Sequence, residues 1–292
     1  MITVFTPCYN RAHTIERLYH SLVLQTNKNF EWIIVDDGST DNTEQIVNVF
    51  IKESNDFPIC YFKKENGGKH TAINFGVQKA NGEAFFIVDS DDWLPKNAID
   101  RIIYYFDQIK NKKDFAGICG NKMLPTKEII GKTFDGEVLD ITALERKKFN
   151  IIGDKAEVFK TEILKKFPFP VFENERFLSE GIVWNRIAFD GYKLRFFNEN
   201  IYYGEYLNDG LTKNLRKMYR ENPVGYLTYI SQETVFLQIN VFRKYNWFGK
   251  AISTVDVKLV GKDNIKKILS INEFEYFLSK LIYAIYSFVR KQ

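Results

Sequence analysis

The stretch AFFIVDSDDWLP, residues 84–95, runs an apolar segment into three carboxylates, Asp89, Asp91 and Asp92. Like charges this close repel one another and favour proton uptake unless a cation lies between them. Two chemistries answer that tension. The acids can open a helix, where a carboxylate complements the macrodipole, although one is enough for that purpose. They can instead hold Mg2+ or Mn2+, which takes one or two protein carboxylates and completes its shell with phosphate oxygens. Asp91 stands two residues after Asp89 and shares its face if the strand continues. Asp92 is either an alternate ligand or the cap of the helix after Pro95. Three acids within four residues favour the cation.

A second acidic pair, Asp36 and Asp37, lies in VDDGSTDNT (35–43). Turn and capping chemistry accounts for Gly38 and the hydroxyls but leaves the pair open. A carboxylate just past a strand can accept from a nucleobase N–H or a ribose hydroxyl. In ENGGKHTA (65–72) no glycine stands five residues before Gly68, and His70 replaces the Ser or Thr, so a P-loop is excluded by spacing. Lys69 beside backbone N–H groups still suits a phosphate or a base edge, with a plain Gly-Gly turn as the alternative. Glu180, in FLSEGIVWN, is a lone acid in a helix's first turn, where a solvated or dipole-complementing role is the common one. His13 and His20 sit on an amphipathic helix, where surface or packing roles fit.

The elements that must position these residues alternate. Apolar runs at 2–7, 31–37, 59–64 and 84–89 read as strands, and 13–25, 41–53, 70–80 and 96–109 read as helices, with Asp41 and Glu44 arranged as a capping box. Nearly continuous apolar strands between helices predict a parallel sheet covered on both faces. Ligands of such sheets bind at the strands' carboxyl ends. TPCYNR, DDGST, ENGGKH and DSDD each follow one of the four strands, so all fall on one rim. Further strands are expected at 115–121 and 155–160, a helix at 178–191, and a hairpin or adjacent strands in KLRFFN and IYYGEYL. From about residue 215 the chain reads as helical and rich in Tyr, Phe, Lys and Arg.

Composition narrows the class. The 292 residues are 45% apolar and carry a net charge of only +4, with Lys and Arg dispersed, which gives no support for nucleic-acid binding. Cys8, Cys60 and Cys119 are far apart and form no CxxC pair, which speaks against a disulfide scaffold or zinc site and fits a reducing compartment. No signal-peptide pattern and no membrane-spanning run is visible, so a cytoplasmic protein is expected, with peripheral attachment at the inner face of the plasma membrane as the variant.

Taken together, TPCYNR, VDDGSTDNT, NGGKHTAINFGV and GEAFFIVDSDDWLP, in this order over roughly the first 100 residues, resemble the family 2 inverting glycosyltransferases of the GT-A fold. GDKAEVFKTEILKKFPFP, FLSEGIVWNRIA and YLNDGLTKN are similar to bacterial members that build surface polysaccharides. The resemblance implies an α/β fold, a GT-A (Rossmann-like), mostly parallel central sheet with helices on both faces, plus a C-terminal helical region. It implies a nucleotide-diphosphate sugar donor, with UDP as the prior, and a saccharide or lipid-linked acceptor. Pro7, Tyr9, Asn10, Arg11, Asp37, Asn66 and Gly67 would line the nucleotide site, with Lys69 nearby. DSD at 89–91 matches the family's DxD motif, giving the ribose to Asp89, with Ser90 alongside, and Mn2+ or Mg2+ to Asp91, with Asp92 as alternate ligand.

Inverting transfer needs a base on the acceptor side. Family members often carry a Glu-Asp pair there; here it reads Ser179-Glu180-Gly181, leaving Glu180 as the base and Asp154 as a weaker candidate. No QxxRW signature follows, which points to one sugar per event, and no late His supplies a third metal ligand. Two rivals stand beside this reading: a sugar nucleotidyltransferase, and a non-catalytic sugar-nucleotide-binding partner of an assembly complex. Residues 1–214 are read as the catalytic domain, with a donor half to about 110 and an acceptor half from 111. Residues 215–292 are read as a helical region packed on the core or mediating a homodimer. The alternative for them is contact with an anionic membrane surface.

Overall fold

The computed structural model describes residues 1–53, 56–205 and 211–289. Strand and helix alternate as the periodicity predicts: β1 (Ile2–Cys8), α1 (Ile15–Val23), β2 (Phe30–Asp36), α2 (Thr43–Glu53), β3 (Ile59–Lys63), α3 (Lys69–Lys79), β4 (Ala84–Ile87) and α4 (Ala98–Asp107). There follow β5 (Phe115–Met123), β6 (Val138–Ile141), β7 (Lys155–Lys160), α5 (Thr161–Lys166), α6 (Gly181–Phe189) and β8 (Lys193–Tyr203). The eight strands form one sheet in the order β3-β2-β1-β4-β7-β5-β8-β6. β1, β2, β3 and β4 are mutually parallel, as are β5 and β8, while β7 and β6 run antiparallel to their neighbours. Helices cover both faces.

Burial explains the strands' composition. All seven residues of β1 and of β2 are buried, the pattern of strands covered on both sides. Trp32 packs beside Tyr19 of α1 and Phe50 of α2, whose rings stack on each other at 4.1 Å, and its indole N–H donates to Thr6 Oγ1 at 2.9 Å, so the buried ring leaves no polar atom idle. Register places the strand ends level: Cys8 lies opposite Asp36, Asp36 opposite Lys63, and Phe5 opposite Ile87. The four polar motifs therefore do share one rim.

Two local expectations are corrected. KLRFFN and IYYGEYL do not form a hairpin: residues 193–203 are a single strand between β5 and β6. Asn198 and Glu199, where the two stretches meet, look turn-like, but the Asn198 amide donates to Phe134 O and Gly136 O, and Glu199 holds Arg101 through two hydrogen bonds. The capping box at Asp41 is not made either, because α2 begins one residue later than its spacing requires. Asp41 instead accepts from Thr43 N and Ala12 N, and Glu44 pairs with Lys63 at 3.0 Å. Of YLNDGLTKN, residues 206–210 lie outside the described residues.

Residues 1–169 and 187–205 form one compact unit; 170–186 and 206–292 group as a second. The second contains α7 (Leu211–Glu221), α8 (Pro223–Phe236), α9 (Val241–Thr254), α10 (Val257–Val260), α11 (Lys262–Leu269) and α12 (Glu273–Val289). Its core is built on Leu227, Phe248, Ala251, Ile252, Ile265 and Leu269. Segment 170–186, placed in the first domain by the sequence pattern, packs here because buried Glu175 accepts from Val224 N and Gly225 N at the start of α8.

Helix α3 approaches β1 more closely than a side chain permits. A Cβ on Gly76 would lie 2.1 Å from the ring of Phe5, which is fully buried and has no room to retreat. In a helix, Gly to Ala alone gains about 1 kcal/mol, whereas overpacking a filled core costs about 1–3 kcal/mol. Gly76→Ala is therefore expected to lower stability, read as a lower urea midpoint at unchanged m-value.

Candidate active site

The rim is assembled by side chains that lock its loops together. Asn10, in the left-handed region at φ 54°, receives Thr40 N on its side-chain oxygen at 2.9 Å, and its own N–H donates to Ser39 Oγ at 2.8 Å. Arg11 N donates to Thr43 Oγ1 at 2.9 Å. The loop after β1 is thus fastened to the loop after β2. Asp36 accepts from Ser39 N and Tyr61 Oη. Asp37 joins β2 to the loop after β3, accepting from Lys64 Nζ at 2.6 Å, Gly67 N at 3.0 Å and Gly68 N at 2.7 Å. Gly38, at φ 88° with Asn66 N pressed against it, can carry no side chain without strain.

The acidic turn adjoins these loops. β4 ends at Ile87, and Asp92 N closes a turn on Asp89 O at 3.1 Å. Lys69, the first residue of α3, forms an ion pair with Asp89 at 2.5 Å. Burial pushes the Asp89 carboxyl upward, but Lys69, Lys122 and Arg11 outweigh it and hold the group below its ordinary range. Burial and the Asp89 charge push Asp91 up. The same causes, burial first, push Asp92 up to about 7. One turn therefore holds carboxyls displaced in opposite directions, an arrangement that recurs where charges are gathered for a ligand.

Asp92 is not a helix cap. α4 opens at Ala98 after Asn97, and the Asp92 carboxylate turns inward to accept from Tyr202 Oη at 2.7 Å and Glu205 N at 3.3 Å. Tyr202, fully buried on β8, also accepts from Asp89 N at 2.9 Å, so one hydroxyl grips both ends of the DSDD turn. Trp93 exchanges two backbone hydrogen bonds with Tyr203 and stacks on its ring at 5.2 Å. Arg17 lies over Trp93 at 4.0 Å, donates to Asp91 O and pairs with Glu205 at 2.9 Å.

Of the residues singled out from sequence, Tyr9, Asn10, Arg11, Asp37, Asn66, Gly67, Lys69, Asp89, Asp91 and Asp92 all occupy this rim and the loops that follow its strands. Pro7 and Ser90 are buried within it, whereas Tyr9 is an aromatic left 47% exposed. Glu180 precedes α6, where its carbonyl accepts from Val183 N and Trp184 N, in the segment grouped with the helical unit; Asp154 is exposed in the turn before β7. Arg17, Lys64, Lys122 and Tyr202 escaped the reading. Lys64, beside the Asn-Gly-Gly turn, had a local signal. Tyr202 stands 113 residues from Asp89 and had none.

The carboxylate set fits a divalent cation shared with a ligand. Among the described residues no three His, Cys, Asp or Glu side chains are gathered to hold a metal unaided. Mg2+ and Mn2+ commonly need only one or two carboxylates when phosphate oxygens complete the shell.

In open α/β sheets ligands bind at a rim of this kind. Residues 3–126 match the family described as Glycosyl transferase family 2. Over this region the chain is similar to that family, and its fold is GT-A. Glycosyltransferase GlyG of Streptococcus pneumoniae is 29% identical over 69% of this chain and 69% of its own length. The first three curated relatives are spanned over 38%, 69% and 30% of their lengths. Among solved structures, Staphylococcus aureus TarS 1–349 in complex with UDP-GlcNAc aligns with a TM-score of 0.62 at 18% identity, covering 98% of this chain and 91% of TarS 1–349. The mannosyltransferase PcManGT from Pyrobaculum calidifontis, in complex with GDP-Man and Mn2+, aligns at 0.57 and 16% identity, covering 100% of this chain and 88% of its own.

The raised Asp92 carboxyl has a measurable consequence. Folded, it titrates at about 7; unfolded, it returns to about 3.9. Between these values the folded state holds the extra proton, so this group's contribution to stability falls as pH rises and its cost is complete above the folded value. Asp92→Asn without divalent cation is expected to melt roughly 2–6 °C higher than the parent at pH 8. At pH 5 most of that difference should vanish in the same fluorescence melts.

Proposed function

We propose that the chain is a glycosyltransferase that moves a single sugar, with inversion, from a nucleotide-diphosphate donor, a UDP-sugar, to a saccharide or lipid-linked saccharide acceptor of bacterial surface polysaccharide. The observation that carries this is the cluster of Asp89, Asp91 and Asp92 beside Lys69 at the carboxyl rim of a family 2 GT-A sheet. The UDP-GlcNAc complex of TarS supports the donor class, and the Mn2+ complex of PcManGT supports the cation.

In this reading Tyr9 offers its exposed ring to the base, and Asp37 holds the Asn66-Gly67 turn against the nucleotide. Asp89 takes a ribose hydroxyl, and Lys69 faces the diphosphate. Asp91, with Asp92 as alternate, holds Mn2+ or Mg2+, which when bound offsets negative charge on the diphosphate. Glu180 accepts the proton of the acceptor hydroxyl as that oxygen attacks the anomeric carbon. The bond to the diphosphate breaks on the opposite face, and its electron pair leaves with the phosphate oxygen.

A melting-point panel of nucleotides and nucleotide sugars, each with and without Mn2+, reads donor class directly, because ligands of the folded state raise its melting temperature. The UDP-sugar shift is expected to require Mn2+ and to disappear in Asp91→Ala, with transfer falling roughly a hundredfold or more. Full turnover in EDTA would remove the cation from the reaction. Glu180→Gln is expected to leave the donor-induced shift intact while lowering kcat about a hundred- to ten-thousand-fold. Parental kcat in that variant would sink Glu180 as the base.

A further inference from the structure

Helix α12 is apolar on two opposite faces. Its inner face packs in parallel along α9: Tyr245 Oη donates to Glu275 at 2.7 Å, and Gly249 lies so close to Ser279 that a Cβ there would stand 2.1 Å from the Ser279 carbonyl. Phe274, Phe277, Leu281, Ile285 and Phe288 recur every three or four residues on the outer face, each between 46% and 71% exposed. At about 100° per residue they span an outer arc of about 80° without a charged side chain. Val241 and Phe242, exposed at the start of α9, lie at the same end of the pair as Phe274. An apolar helix face of this length is ordinarily covered.

Charge identifies the cover. Residues 206–292 hold fourteen Lys and Arg against seven Asp and Glu, a net charge of +7 in a chain whose total is +4. Arg243, Lys250, Lys258, Lys267 and Lys280 are exposed in this unit, while Glu273 of α12 is paired with Lys262 and Lys266. Symmetric pairing of two copies through α12 would bring two such basic units together, a like-charge arrangement that opposes association. An anionic bilayer attracts the same charges and takes up the Phe and Leu side chains at its headgroup boundary. No helix among the described residues is long and apolar enough to cross a membrane, so α12 would lie in the interface plane.

We infer that the outer face of α12 docks the protein onto an anionic lipid surface. The full chain should co-sediment with vesicles of phosphatidylcholine mixed with phosphatidylglycerol and much less with phosphatidylcholine alone. Raising salt from about 0.1 M to about 0.5 M should weaken that binding. Phe277→Ser combined with Phe288→Ser should weaken it roughly tenfold or more, with melting temperature and donor-induced shift unchanged. Absence of anionic-vesicle binding by the parent, or equal binding by the double variant, overturns the inference. So does sedimentation velocity showing a parental dimer that the double variant converts to a monomer while vesicle binding is absent.

Discussion

Everything at the rim follows from holding three carboxylates within one turn. Repulsion among Asp89, Asp91 and Asp92 is resolved unequally: Lys69 keeps Asp89 charged, while burial and its neighbours push Asp92 to about 7. Such an arrangement is costly unless the surroundings over-determine it. The surroundings do. Tyr202 ties Asp89 N to the Asp92 carboxylate, Trp93 is sewn to Tyr203 by two backbone bonds, and Arg17 clasps Asp91 O. In the proposed function a cation entering here would meet carboxylates already placed and would offset their excess negative charge.

The same logic applies to the acids that looked like ligand contacts. Asp37 spends its carboxylate on Lys64, Gly67 and Gly68, and Asn10 spends its amide oxygen on Thr40. Their first action is to fix the loops from which a nucleotide would be read. Loop residues positioned by a rigid parallel sheet are the usual place for binding chemistry, and here the rigidity extends past the strand ends through side-chain bonds. A substitution at Asp37 would therefore loosen two loops at once.

This division also explains what could be read from the sequence. The parallel half was legible because strands buried on both faces are written as unbroken apolar runs, and Gly38 and the Asn-Gly-Gly turn carry local backbone demands. The acidic turn was legible as three like charges with no local reason. What escaped depended on long-range pairing. Asn198 and Glu199 read as a turn until Phe134, Gly136 and Arg101 are brought to them, which keeps β8 continuous. Tyr202, near the end of that strand, is indistinguishable in sequence from its packed neighbour Tyr203. Asp92 could be a cap or a ligand by spacing alone; only the position of Tyr202 turns it inward.

The departure from the expected Glu-Asp pair has a local physical cause. Gly181 follows Glu180 at the opening of α6, and a Cβ on it would stand 3.1 Å from the ring of Tyr229, with 3.5 Å left to the Tyr229 hydroxyl. An aspartate there would have to displace that ring. Burial, followed by the charge of Glu233, pushes the Tyr229 hydroxyl well above its ordinary range, so an additional carboxylate beside it would meet further like charge. The glycine thus belongs to the packing of α6 on α8, and that packing opposes a second acid after Glu180. In the proposed function an acceptor-side base in this segment would act singly, from a stretch whose position is fixed by the helical unit through Glu175, Asn222 and the start of α8.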